Sequence, residues 1–182
     1  MKLFKTLDDM NFHSQCLFNL DDTEQALDVM VQKITQDMSE KKPVVIGVMR
    51  GALAMFGYML PRLPFYLEVD YVHASRYQKQ LMPGPLLWLH EPHISLVGRC
   101  VLLIDDILDQ GVTLKAISEK CFELGANEVK IAVLCKKHIQ NFTPAIEADY
   151  VALDVPDAYI FGYGMDYEGA WRNAPGIYKL VM

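Results

Sequence analysis

Val101-Leu102-Leu103-Ile104-Asp105-Asp106-Ile107-Leu108-Asp109-Gln110-Gly111-Val112-Thr113-Leu114 decides the fold of this chain. Four apolar residues carry a strand to its carboxyl end, as expected where a sheet is covered on both faces. Two adjacent carboxylates follow at once, then a third, a glycine and a hydroxyl residue, and a helix begins. Ligands of open α/β sheets gather at such junctions, outside the carboxyl ends of the strands. Free backbone N–H groups at a helix start attract phosphate. Asp105 to Thr113 therefore offers acids and a phosphate cradle in one short stretch.

The pattern outward from this stretch is one of alternating strands and helices. Asp21 or Asp22 can cap a helix running toward Glu40, with Leu27, Met30, Val31 and Ile34 on one face. Residues 44–49 form a continuous apolar run, read as a buried strand. Arg50-Gly51 breaks it, and residues 52–60 read as a helix ended by Pro61 and Pro64. Residues 65–73 and 86–90 read as strands joined by a polar loop, residues 76–84, which closes on Pro83-Gly84-Pro85. Such a hairpin has a tip free to fold over a ligand. Further strands are expected over residues 100–104, 129–134, 150–153 and 176–181, and a helix over residues 113–124 stopped by Gly125. This order predicts an α/β fold with a mainly parallel sheet flanked by helices.

One domain is the default at 182 residues. The chain is 52% hydrophobic and 22% charged, a globular and not a disordered composition. A net charge of -6 and a pI near 5.3 argue against non-specific nucleic-acid binding, which needs Lys and Arg to neutralise phosphates. A small anionic ligand stays open, because backbone N–H groups and a divalent cation can hold a phosphate. Cys16, Cys100, Cys121 and Cys135 are scattered without CxxC spacing and read as reduced core thiols of a cytoplasmic protein. Neither a signal peptide nor a membrane span is read from the chain: the apolar region at residues 49–63 is broken by Arg50, Gly51, Gly57, Pro61 and Arg62. His73, His90, His93 and His138 lack metal-ligand spacing on one helix face and are read as non-catalytic.

Within the deciding stretch each acid has a functional and a plain structural role. Asp105 and Asp106 suit the two hydroxyls of a ribose, or a magnesium ion; the plain alternative is a solvated loop. Asp109 can accept a proton from a substrate above the sheet edge, or cap the next helix. Gly111 permits a backbone turn closed to other residues. Thr113 offers its hydroxyl to a phosphate or to the helix cap.

The full string resembles the phosphoribosyl pyrophosphate motif of the type I phosphoribosyltransferases: apolar strand, two acids, two apolar residues, Asp, Thr, Gly, any residue, Thr. It differs at Gln110, where the family has Thr. Four further segments narrow the resemblance to the hypoxanthine-guanine phosphoribosyltransferases. Met49-Arg50-Gly51 matches the loop against pyrophosphate, where a strained peptide often precedes the basic residue. Ser75-Arg76-Tyr77 falls at the mobile loop, with Tyr77 matching and Arg76 in place of Ser. Lys136 falls where the family sets a lysine on the purine's exocyclic oxygen, with Lys137 as second candidate. Val155-Pro156-Asp157-Ala158-Tyr159-Ile160-Phe161-Gly162-Tyr163-Gly164-Met165-Asp166-Tyr167, ending near Arg172, resembles the purine-binding stretch.

The resemblance implies a single phosphoribosyltransferase domain over residues 1–182, with a small hood from about residues 1–20 and 150–182. It implies purine salvage: transfer of the 5-phosphoribosyl group of phosphoribosyl pyrophosphate to hypoxanthine, with guanine beside it, giving IMP or GMP and pyrophosphate. Asp109 would be the catalytic base. Asp105, Asp106, Asp109, Gln110, Gly111, Val112, Thr113, Arg50, Gly51, Tyr77 and Arg172 would hold the phosphoribosyl donor. Lys136, Tyr159, Ile160 and Asp166 would hold the purine, and Asp166 and Asp105 a Mg2+ ion. It also implies two or four identical subunits, and no nucleic-acid or membrane partner. Two readings compete: a nucleotide-sensing regulator on the same fold, against which the acidic charge counts, and a xanthine-directed enzyme. A phospho-accepting receiver domain would carry its acid pair after the first strand, not near the middle of the sheet.

Overall fold

A computed structural model describes residues 5–76 and 86–181. Along the chain its elements are α1 (Leu7–His13), β1 (Ser14–Asn19), α2 (Leu20–Met38), β2 (Val44–Met49), α3 (Leu53–Met59) with a 3-10 turn (Leu60–Arg62), β3 (Glu68–Arg76), β4 (Leu86–His90), β5 (Cys100–Leu108), α4 (Val112–Glu123), β6 (Glu128–His138), β7 (Tyr150–Pro156), β8 (Ile160–Phe161) and β9 (Gly176–Leu180). Six strands form one sheet in the order β4-β3-β2-β5-β6-β7. All neighbours are parallel except β3 and β4, the expected hairpin at the edge. The deciding stretch thus supplies a central strand.

Alternation along the strands explains the two cores, since successive side chains point to opposite faces. Val45, Leu102, Ile104, Ala132 and Leu134 meet α2 and α3 on one face. Val44, Ile46, Val48, Val101, Leu103, Ile131 and Val133 meet Leu114, Ile117 and Cys121 of α4 on the other. Helix α2 buries the predicted stripe of Leu27, Met30, Val31 and Ile34, together with Met38. Each such side chain contributes about 1.5–3 kcal/mol when removed from water.

A second, three-stranded antiparallel sheet, β1-β9-β8, joins the two ends of the chain. Its own core holds Met10, Phe161, Tyr167, Ala174 and Tyr178. This sheet is the hood, and it begins later than expected. Residues 150–156 are β7 and pair with β6, so they belong to the large sheet.

Several expectations are corrected in detail. Asn19, not Asp21 or Asp22, caps α2; its side chain accepts from Asp22 N while Asp22 accepts from Asn19 N, a reciprocal capping box. Strand β3 starts at Glu68, three residues after Phe65. Strand β5 runs on to Leu108 and β6 to His138, so the acid pair and two lysines lie within strands and not beyond them. The early elements α1 and β1 were absent from the sequence reading. Cys100, Cys121 and Cys135 are buried free thiols as expected, but Cys16 is exposed. Burial pushes the Cys100 and Cys121 thiols up to about 11. Among the described residues no helix is long and apolar enough to cross a membrane.

Candidate active site

Strand β5 delivers its acids to the carboxyl edge of the sheet while still paired: Asp105 lies opposite Val133, and Ile107 opposite Cys135. Consecutive strand residues face opposite ways. Asp105 folds back to accept from the backbone N–H of Asp106 at 2.9 Å. Asp106 lies against Gly51, where a β-carbon would stand only 1.8 Å from its Oδ2. Burial and the neighbouring charge of Asp106 hold the Asp105 carboxyl well above the usual carboxylate value. Burial also raises Asp106, opposed by hydrogen bonds from Asp105 and the Ile107 backbone and by the positive charge of Arg172. Two acids held together above their ordinary values form a place for hydroxyl donors or a cation.

Beyond β5 the chain turns through Asp109 and Gln110. Gln110 O accepts from Ala145 N at 2.9 Å, which ties this turn to the segment before β7. Gly111 stands at the N-cap of α4 with φ +73° and has no side chain to cap the helix. The N-cap position thus falls to Gly111 and not to Asp109 or Thr113. The start of α4 lies at this loop, and a helix start of this kind favours an anion.

Asp109 instead pairs with Lys137, whose Nζ lies 2.8 Å from Oδ2. That lysine is 13% exposed and lines a cavity of about 270 Å³ with Asp106, Ile107, Asp109, Tyr159, Ile160, Met165 and Asp166. Lys136 lies elsewhere: its ammonium meets Glu147 at 2.6 Å. Of the two candidate lysines, Lys137 therefore lines the cavity and Lys136 does not. The cause is the strand's period of two, which sends neighbouring lysines to opposite faces.

Tyr159 and Ile160 line the same cavity. The Tyr159 hydroxyl donates to Asp166 O at 3.2 Å, and its ring meets Tyr167 edge-on at 5.6 Å, which leaves the ring 44% exposed at the rim. Ile160 is buried in β8. Asp166 is engaged on both oxygens, by Arg172 Nη2 and by Gly169 N. Arg172 also donates to Gly164 O at 2.6 Å, and its Nε is buried without a partner among the described residues. These Arg172 bonds run into the protein and brace the hood loop.

Met49–Arg50 is a cis peptide bond, followed by exposed Arg50 and by Gly51 packed against Asp106. Strand β3 ends at Arg76; Tyr77 and the loop after it, residues 77–85, lie outside the described residues. Among the described residues no three His, Cys, Asp or Glu side chains converge as a ready metal cluster. The sequence reading missed Ile107 and Met165 as apolar cavity walls. The period of β5 points to Ile107, once the strand is extended past Asp106.

The phosphoribosyl transferase domain family matches residues 17–168. A hypoxanthine-guanine phosphoribosyltransferase of Bacillus subtilis is 34% identical over 146 residues, 80% of this chain and 81% of that protein. A bifunctional protein of Listeria innocua, TilS/HprT, is 33% identical over 88% of this chain, which spans only 25% of that longer protein. The crystal structure of a hypoxanthine phosphoribosyltransferase from Staphylococcus aureus superposes with a TM-score of 0.87 at 28% identity, covering 94% of each chain. With its central acid strand, its hood and its cavity between them, this chain belongs to the phosphoribosyltransferase family.

Proposed function

We propose that the chain transfers the 5-phosphoribosyl group of phosphoribosyl pyrophosphate to a 6-oxopurine, hypoxanthine first and guanine beside it. One observation carries this reading: Asp109 and Lys137 face each other in a cavity walled by Tyr159 and Ile160, beside the half-buried acid pair. A purine lying on Tyr159 sets its exocyclic oxygen toward the Lys137 ammonium and a ring N–H toward Asp109. The ring nitrogen attacks the sugar carbon, that carbon's bond to pyrophosphate breaks, and the electron pair leaves with the pyrophosphate. Asp109 takes the proton released by the purine nitrogen, a step worth about 10²–10⁴-fold when the base is well placed.

Asp105 and Asp106 hold the ribose hydroxyls. The turn from Asp109 through Gln110, Gly111 and Val112 to Thr113 receives the 5′-phosphate at the start of α4. Arg50 and Gly51 lie along the pyrophosphate. Magnesium fits the donor set: hard carboxylate oxygens of Asp105 and Asp106 are present, and Mg2+ keeps several waters and binds through one or two carboxylates plus substrate phosphates. When bound it neutralises charge on the departing pyrophosphate. Asp166 could join that set only by releasing Arg172, which would free the guanidinium for the same anion.

The chain works as one phosphoribosyltransferase unit, with the small sheet as its hood. Its free buried thiols suit a reducing compartment such as the cytoplasm. Two or four identical subunits complete the reading. At the β4 end of the sheet, β3 and β4 leave Val69, Tyr71, Leu87 and Leu89 exposed, apolar surface that an identical partner would cover; sedimentation counts the copies. A purine panel tests the activity. With phosphoribosyl pyrophosphate and Mg2+, hypoxanthine or guanine should be consumed and adenine left. Turnover of adenine alone, or of none, would contradict the proposal.

A further inference from the structure

Two glycines join the hood to the large sheet. Residues 162–165 form a tight turn, closed by Gly162 N to Met165 O at 2.9 Å and Met165 N to Gly162 O at 3.1 Å. Gly164 sits at its tip with φ +109°, a conformation that side-chain-bearing residues rarely adopt. Arg172 holds both polar backbone groups of Gly164. Its O accepts from Gly164 N at 2.8 Å, and its Nη1 donates to Gly164 O at 2.6 Å. A β-carbon on Gly164 would stand 2.1 Å from Gly51 O, a backbone atom with no rotamer to yield. Gly51 in turn has no room on its other side, where a β-carbon would meet the Asp106 carboxylate at 1.8 Å. The hood turn and the Arg50–Gly51 loop therefore meet at backbone distance, and Gly51 lies against the Asp106 side chain of the acid strand.

We infer that Gly164 is a positioning residue for the pyrophosphate side of the reaction, although it lies in the hood beside the purine cavity. The turn it caps seats the Arg50–Gly51 loop against Asp106. Arg172, tied to Asp166 on the cavity wall, fixes the turn from behind. Purine pocket and pyrophosphate loop are thus set by one contact. A shift of Gly51 O displaces the loop toward solvent or presses Asp106 out of place. The inference rests on the phosphoribosyl-transfer reading and assigns to it a residue remote from the reacting atoms.

Gly164→Ala tests this with a control, Gly98→Ala. Gly98 also has positive φ but faces open space at the other end of the sheet, so it reports the cost of backbone strain alone. For Gly164→Ala, kcat/KM for phosphoribosyl pyrophosphate should fall about tenfold to a hundredfold, since a displacement near 1 Å costs up to about 10²-fold. KM for hypoxanthine should stay within about twofold, with the pocket walls unmoved. Gly98→Ala should keep both parameters. A rise in the KM for hypoxanthine as large as the loss for phosphoribosyl pyrophosphate, or wild-type values in Gly164→Ala, overturns the inference while the wild-type enzyme still turns over. An inactive wild type removes the underlying reading as well. Where Gly164→Ala fails to fold, hydrogen exchange on the wild-type chain decides. Pyrophosphate with Mg2+ should slow exchange of the Gly164 amide together with that of Gly51. Protection of Gly51 alone overturns the inference.

Discussion

On β6 the period of two sends the ammonium of Lys136 to Glu147 and that of Lys137 to Asp109. Only the second can reach a purine oxygen in the cavity, and only the second touches the proposed base. An ammonium has donors and no acceptor, so it favours an oxygen at position 6 over an amino group. Lys137→Ala should therefore reduce the preference for hypoxanthine over adenine by about one to two orders of magnitude, while Lys136→Ala leaves it unaltered; a site built on a polar contact discriminates at least that well. Competition kinetics with the two bases reads the ratio. The reverse pattern would return the role to Lys136. The sequence carried both lysines and the right segment. It could not fix the register, because β6 continues four residues past Leu134 and one residue of offset turns the wrong side chain inward.

At the scale of elements, what was legible had local causes. The apolar runs of β2 and β5 and the stripe of α2 announced themselves, since burial on two faces and a period of 3.6 leave distinct patterns. Strand ends were less legible. Asp105, Asp106, Lys136 and Lys137 are polar, yet ladder pairing holds them in strands, because the sheet edge they reach is the site itself. The cap of α2 was misassigned for a similar reason. Asn19 and Asp22 each satisfy the other's backbone, and either type can cap. The hood was the least legible part. Strand β1 pairs with β9 across almost the whole chain, Ser14 opposite Leu180, and no local pattern encodes a partner so far away. The glycines of residues 162–176 carried the clue that backbones approach closely there, without saying which backbones.

For the molecule as a whole, the acid pair is a cost in stability accepted at the site. Burial and Asp106 raise the Asp105 carboxyl, so the folded chain holds that proton more tightly than the unfolded chain does. Stability from this group is complete below the unfolded value and is lost as pH rises through the raised folded value. Asp105→Asn removes the penalty. Without substrate and with a chelator present, its melting temperature should exceed that of wild type at pH 8 and approach it at pH 4, followed by circular dichroism. Parallel curves for the two proteins would show that the pair is not strained in the folded chain. The same variant should bind phosphoribosyl pyrophosphate more weakly, since stability and function draw on Asp105 in opposite directions.

The account turns on Asp109 as the group that receives the purine's proton in the cavity it shares with Lys137. Rapid-quench measurement of IMP formation, with hypoxanthine, phosphoribosyl pyrophosphate and Mg2+ saturating, tests it most directly. Asp109→Asn should bind both substrates within a few-fold of wild type and form IMP about 10²–10⁴ times more slowly. IMP formed by Asp109→Asn at the wild-type rate would contradict it.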